Sequence, residues 1–206
     1  MAGTRYLTHA EERAVMDVAR RRPARDHLFI ALQLWAGLRA SEALLLKVGD
    51  LWVEGAAVKE LVVKRHAHNR NYAPTRLVPL SAEVQRAIRR LVVSIMAEGG
   101  QVDPEAWVFT SLSSRPLQAA PIDRRSAHRL VQRVLAAAKI DDDGRLGTHL
   151  LRKTFAYRLF VLSRRNLILV REALGHASVQ TTDEYIESRR EAVESAILRG
   201  DSHYKA

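Results

Sequence analysis

The order of apolar and polar positions divides the chain into helical stretches on either side of one segment with a different period. Thr8-His9-Ala10-Glu11 has the form of a capping box, and Val15, Val18 and Ala19 continue at helical spacing, so a first helix starts almost at the amino terminus. Pro23 interrupts it, and a nearly all-apolar second helix is expected from about Asp26 to Ala36 (Leu28, Phe29, Ile30, Leu32, Leu34, Trp35). A helix apolar on most sides belongs at the centre of a core. Gly37 can end it and let Arg39 open another, with Glu42 one turn on and Leu44, Leu45 and Leu46 behind.

From Asp50 to Leu80 the period changes. Val53 with Ala57 and Val58, then Leu61-Val62-Val63, then Leu77-Val78 predict short strands, the last two joined by a polar connection from His66 to Thr75. Helical spacing returns from Ser81 to about Ala97, where Arg86, Arg89 and Arg90 stand opposite Val84, Ile88, Leu91 and Val92. Glu98-Gly99-Gly100 and Pro104 mark a loop, Trp107-Val108-Phe109 a short buried strand, and Ser111 to Pro121 a second loop. A helix from Asp123 to Ala138 carries Arg124, Arg125, His128, Arg129 and Arg133. Thr148, behind Gly147, is expected to cap a helix whose apolar positions are Leu150, Leu151, Phe155, Leu159 and Val161. The next helix ends at Leu174 with Gly175 as its cap, and Ser178 can cap a short helix carrying Tyr185. Ala192, Val193, Ala196 and Ile197 continue at helical spacing. The fold class expected is mainly α with a small antiparallel β-sheet or hairpin.

Composition narrows the chemistry. A chain of 206 residues, 47% hydrophobic and 27% charged, fills one domain or one domain plus a tail. Its net charge of +10 favours a polyanionic partner. Absence of cysteine excludes disulfides, thiolate nucleophiles and cysteine zinc sites. No run approaches the ~18 apolar residues of a membrane span, and the amino terminus lacks signal-peptide features, so a cytoplasmic protein without membrane partner is expected.

Candidate functional residues follow from spacing. His149 and Arg152, three apart, share one face of a helix's first turn, where backbone N–H groups and the positive dipole end add to an imidazole and a guanidinium. That is a cradle for an anion such as phosphate, although such a pair also serves as a solvated surface. Arg39 and Glu42 form either a surface i,i+3 ion pair or an arginine oriented by its carboxylate. Lys64 ends a strand, as a solvated edge charge or as an aimed cation. His66 and His68 have no third ligand nearby, and the successive carboxylates Asp141-Asp142-Asp143 cannot converge on one ion, so no metal site is expected.

Taken together, several of these motifs resemble the tyrosine recombinase (phage integrase) family. Leu174-Gly175-His176-Ala177-Ser178, Thr181-Thr182 and Tyr185 are similar to its closing motif, and Gly37-Leu38-Arg39-Ala40-Ser41-Glu42 to its first arginine box. Lys64 ahead of Arg76-Leu77-Val78-Pro79-Leu80 matches its hairpin lysine, and His149 with Arg152 its second box. The resemblance implies the integrase catalytic-domain fold over 1–190, with 191–206 as a carboxy-terminal helix or tail that either is exchanged between protomers or closes its own domain as an ordinary intramolecular helix. It also implies a site-specific recombinase in which Tyr185 attacks a DNA phosphodiester to give a 3′-phosphotyrosyl link. Arg39, Arg152 and His176 would hold the phosphate, His149 would take the phenol proton, Lys64 would protonate the leaving 5′-oxygen, and Glu42 would orient the arginine.

No metal or nucleotide cofactor is implied, because one phosphodiester is exchanged for another. The implied partners are double-stranded DNA, further copies of the chain as a dimer or tetramer, and an accessory DNA-binding protein. DNA contacts are expected from Arg70, Arg76, Arg124, Arg125, Arg129 and Arg133, with a solvated basic face as the alternative. Most members carry a helical core-binding domain ahead of the catalytic one, whereas Met1 here leads directly into a capping-box helix, as in a natural catalytic-domain-only member similar in layout to the fimbrial-type invertases or in an excised fragment. Two other functions use the same fold: a type IB-like strand-relaxing enzyme and a non-catalytic DNA-binding regulator. A metal-dependent nuclease is disfavoured for want of a carboxylate cluster.

Overall fold

The computed structural model describes residues 5–63, 76–110, 120–141 and 146–175. Eight helices and four strands occur among them: α1 (His9–Arg21), α2 (Ala24–Trp35), α3 (Ala40–Ala43), α4 (Val48–Leu51), β1 (Trp52–Val53), β2 (Ala56–Ala57), β3 (Glu60–Val63), β4 (Arg76–Pro79), α5 (Ala82–Ala97), α6 (Arg124–Ala137), α7 (Thr148–Leu162) and α8 (Leu167–Leu174). The mainly α class with small antiparallel hairpins is therefore observed.

α2 is the hub. Leu28, Phe29, Ile30, Leu32 and Leu34 are each 0% exposed, and α1, α5 and α7 pack around it. Its start at Ala24 lies two residues before the expected Asp26, because Pro23 stands just outside the helix as its N-cap, where the missing N–H costs nothing. α1 begins as its sequence dictates, with the Thr8 N–H donating to Glu11 Oε2 at 2.7 Å and the Glu11 N–H returning to Thr8 Oγ1 at 3.3 Å.

β3 and β4 pair antiparallel, with Leu61 opposite Val78 and Val63 opposite Arg76. The alternation turns Leu61, Val63 and Val78 inward and leaves Val62 and Leu77 outside at 46% and 63% exposure. Val108 and Phe109 are buried as expected, but Trp107 and Thr110 form only single bridges, to Lys47 and Pro121. Lys47 is the N-cap of α4, so the chain turns into a helix directly after that bridge and no strand propagates there.

α7 is fastened to the hub by its own side chains. Arg158 donates to Glu12 Oε2 and to the Leu34 carbonyl, both at 2.5 Å, and its guanidinium lies 4.0 Å from the centre of the Trp35 ring. Thr154 Oγ1 accepts the Leu7 N–H at 2.9 Å, and Tyr6 stacks on Tyr157. A smaller core of Ala156, Val170 and Leu174 joins α7 to α8. No helix among the described residues is long and apolar enough to cross a membrane.

Candidate active site

The end of α2 delivers the first arginine. Gly37 takes a φ of 63°, and a Cβ there would lie 2.3 Å from the Phe155 ring, so conformation and space both call for glycine. The Leu38 N–H then donates back to the Leu32 carbonyl at 3.1 Å, which folds the chain over the helix end and starts α3 at once. Glu42 Oε2 accepts the Arg39 backbone N–H at 2.7 Å, while Glu42 Oε1 accepts Arg39 Nη1 at 2.8 Å. One carboxylate thereby fixes both the backbone and the guanidinium of Arg39.

Glu42 also serves two more arginines. Arg76 Nη2 reaches Oε2 at 2.9 Å, and Arg152 Nη1 lies 3.5 Å from the same oxygen. The Glu42 side chain is 8% exposed, and burial alone would raise its pKa. The charge of Arg76, the Arg39 N–H bond and the charge of Arg152 outweigh burial and hold the carboxyl below its ordinary value. Three guanidinium groups around one carboxylate leave a local excess of two positive charges.

The arginines differ in what they present. Arg152 is 1% exposed, with Nη1 donating to the Gly37 carbonyl at 2.5 Å and Nη2 to the Leu174 carbonyl at 2.8 Å. It thus ties the glycine turn after α2 to the end of α8. The Arg39 side chain is partly exposed, at 31%. His149, on the same first turn of α7 as Arg152, is exposed at the surface. Partial loss of water, then the charges of Arg152, Lys153, Arg39 and His128, hold its pKa below the ordinary imidazole value, so the ring is neutral at pH 7.

Thr148 does not cap α7. Gly147 occupies the N-cap position with no side-chain hydrogen bond, and Thr148 is the first helical residue. A Cβ on Gly147 would lie 2.6 Å from His128 Cε1, so α6 packs where a capping side chain would stand. At the other end, Gly175 caps α8 with a φ of 62°, as expected. A Cβ there would lie 2.9 Å from Arg76 Nη1.

Arg39, Glu42 and Arg152 therefore come together, with His149 on the same first turn of α7 as Arg152. Lys64, Arg70, His176 and Tyr185 lie outside the described residues, as do the histidines of the hairpin tip. Lys64 follows Val63, which is paired with Arg76, and His176 follows Gly175. Arg76 was expected on DNA, but its side chain is 12% exposed and engaged with Glu42 and the Leu174 carbonyl. Its burial was foreshadowed by strand alternation, since Arg76 shares a face with the buried Val78 and Leu80.

Arg124, Arg125, Arg129 and Arg133 are exposed on α6, which contains no acidic residue between Arg124 and Ala137. Ser126, Arg129, Gln132, Arg133 and Ala136 line a groove of about 540 Å³ beside them. Among the described residues no three of His, Asp and Glu converge in a way that would hold a metal ion.

Residues 5–192 match the phage integrase family. The chain belongs to the phage integrase family. Among curated integrase-family relatives, the tyrosine recombinase XerC of Nitrobacter winogradskyi is 34% identical over 202 residues, covering 92% of this chain and 54% of the relative. The chain spans about half the length of the curated relatives it matches. Two solved integrase-family structures share the fold. XerH recombinase in a post-cleavage complex with its difH substrate has a TM-score of 0.70 at 23% identity, over 93% of this chain and 52% of that one. The catalytic domain of bacteriophage HP1 integrase has a TM-score of 0.58 at 19% identity, over 95% of each chain.

Proposed function

We propose that the chain cuts and rejoins duplex DNA at specific sites through a covalent bond to Tyr185. Support comes foremost from the cationic cluster around Glu42 beside the neutral, exposed His149. A phosphodiester repels nucleophiles and gains charge at the pentavalent stage, so preorganised guanidinium groups lower that barrier. Arg39, partly exposed, meets a non-bridging oxygen, and Arg152 adds its charge from beneath. The uncapped start of α7 adds the positive end of a helix dipole.

In the forward step the Tyr185 oxygen bonds to phosphorus and the bond from phosphorus to the 5′-oxygen breaks. A phenol of pKa ~10 is a weak nucleophile at neutral pH, so His149 takes its proton and Lys64 gives one to the departing 5′-oxygen. His176 donates a further hydrogen bond to the phosphate. A 5′-hydroxyl of another strand then attacks the phosphotyrosine, and each proton returns along its path. Bond exchange is isoenergetic to first order, so the step needs no nucleotide cofactor, and the cationic side chains offer the charge stabilisation that a metal would otherwise supply.

One chain supplies one nucleophile, and exchange between duplexes needs several breaks, so the working unit is a homo-oligomer on DNA. The segment 191–206 is the part proposed to pass between its protomers. The α6 arginines hold flanking phosphates, and a DNA substrate places the protein in the cytoplasm.

The test is covalent trapping: protein incubated with duplex fragments flanking its own gene is denatured in SDS, and wild type is compared with Tyr185→Phe. An adduct lost in the variant is expected. An adduct that survives the substitution refutes Tyr185 as nucleophile, and specific binding with no adduct points to the regulator.

A further inference from the structure

Arg76 sits where three parts of the site meet. It is the first residue of β4 and stands opposite Val63, the residue before Lys64. Its Nη2 donates to Glu42 Oε2 at 2.9 Å, across 34 positions of sequence, and its Nη1 to the Leu174 carbonyl at 2.6 Å, across 98. Arg152 Nη2 donates to that same Leu174 carbonyl, and Arg152 Nη1 approaches the same Glu42 oxygen. The two guanidinium groups therefore bridge an identical pair of acceptors and close a ring: Glu42, Arg76, Leu174, Arg152.

A ring of this kind has a mechanical consequence. The Leu174 carbonyl closes α8 just before Gly175 and His176, while Glu42 sets the Arg39 guanidinium. Only a planar fork can reach both acceptors at once; a lysine ammonium is a single point of charge. Gly175 is part of the fit, because a Cβ there would stand 2.9 Å from Arg76 Nη1.

We infer that Arg76 is a positioning residue, not a DNA contact, that ties the end of α8 to Glu42 and thereby holds Arg39 and Arg152 in register. Its kinetic consequence rests on the strand-cleaving function proposed above. Its geometric content does not.

The test uses the whole 206-residue chain, Arg76→Lys and Arg76→Gln, with the duplex fragment that gives the wild-type adduct as probe. At saturating duplex, adduct formation by Arg76→Lys is expected to slow by between about tenfold and a hundredfold, the usual effect of displacing reacting groups by a fraction of an ångström to an ångström. Duplex Kd and its salt dependence should stay at wild-type values. In a Glu42→Gln background the same substitution should slow the reaction much less, since both act through one ring. A phosphate contact would behave oppositely: Kd would rise and, for Arg76→Gln, the slope of log affinity against log salt would fall by about 0.9. Either that result or additivity with Glu42→Gln overturns the inference.

A wild-type measurement keeps the test independent of variant folding and of cleavage. On titration with a random 40-bp duplex, the Arg39 Nε–H resonance should shift while that of Arg76 stays in place. An equal shift at Arg76 overturns the inference. If no fragment yields an adduct, the proposed function fails, and the resonance titration still decides the place of Arg76.

Discussion

Replacing Glu42 by glutamine removes one negative charge from the midst of three guanidinium groups and keeps the shape of the side chain. The carboxylate accepts from Arg39 at 2.7 and 2.8 Å and from Arg76 at 2.9 Å, and it lies 3.5 Å from Arg152, with 8% of the side chain exposed. Breaking a buried pair by removing one partner costs about 3–5 kcal/mol, because the remaining charge is left desolvated. The retained amide oxygen still accepts a bond and Arg39 is partly solvated, so the lower end, about 3 kcal/mol, is expected. For a chain of this size that corresponds to a loss of roughly 6–12 °C in Tm.

Acid provides a second reading of the same energy. The folded-state pKa of Glu42 lies below the ordinary 4.5, so as pH falls through 4.5 the unfolded chain takes up the proton first. The stabilisation is complete above pH 4.5 and disappears as pH drops through the lowered folded value. Thermal melts of wild type and Glu42→Gln should therefore be far apart at pH 7 and converge below pH 4.5. A loss under about 3 °C at pH 7, where at least twice that is expected, or a gap that stays constant into acid, would refute the carboxylate as the keystone of the cluster.

Other consequences can be checked separately. Gly37→Ala should lower stability by more than about 1 kcal/mol through its positive φ and the Phe155 ring, and Phe155→Leu should relieve only the steric part, both measured by urea unfolding. Because His149 is held below its ordinary 6.5, the acid limb of adduct formation should fall below pH 6.5, and at low salt Arg39→Gln should move it back upward. An unmoved limb would deny that these charges act on the ring. Single glutamine substitutions at Arg129 and Arg133 should each reduce the salt slope of duplex binding by about 0.9 if they hold phosphates, and leave it unchanged if that face of α6 is merely solvated.

The sequence by itself determined what local chemistry can specify. The Thr8 box and the Gly175 terminus each close hydrogen bonds within a few residues, and their helices start or stop where the residues demand. An almost wholly apolar stretch settled that α2 is central. The three-residue spacings of Arg39 with Glu42 and of His149 with Arg152 placed each pair on one helical turn or cap.

Tertiary structure alone decided how those pieces combine. That α6 lies close against Gly147, so that Thr148 starts α7 and does not cap it, depends on the packing of His128. That Arg158 is a half-buried cation shared by Glu12 and Trp35 depends on partners 146 and over a hundred positions away. The same holds for Arg76. In sequence an arginine near a hairpin is equally a solvated charge, a phosphate ligand or half of an ion pair, because the side chain is identical in all three. Which one it becomes is set by acceptors 34 and 98 positions distant, and only a folded chain brings those within 3 Å.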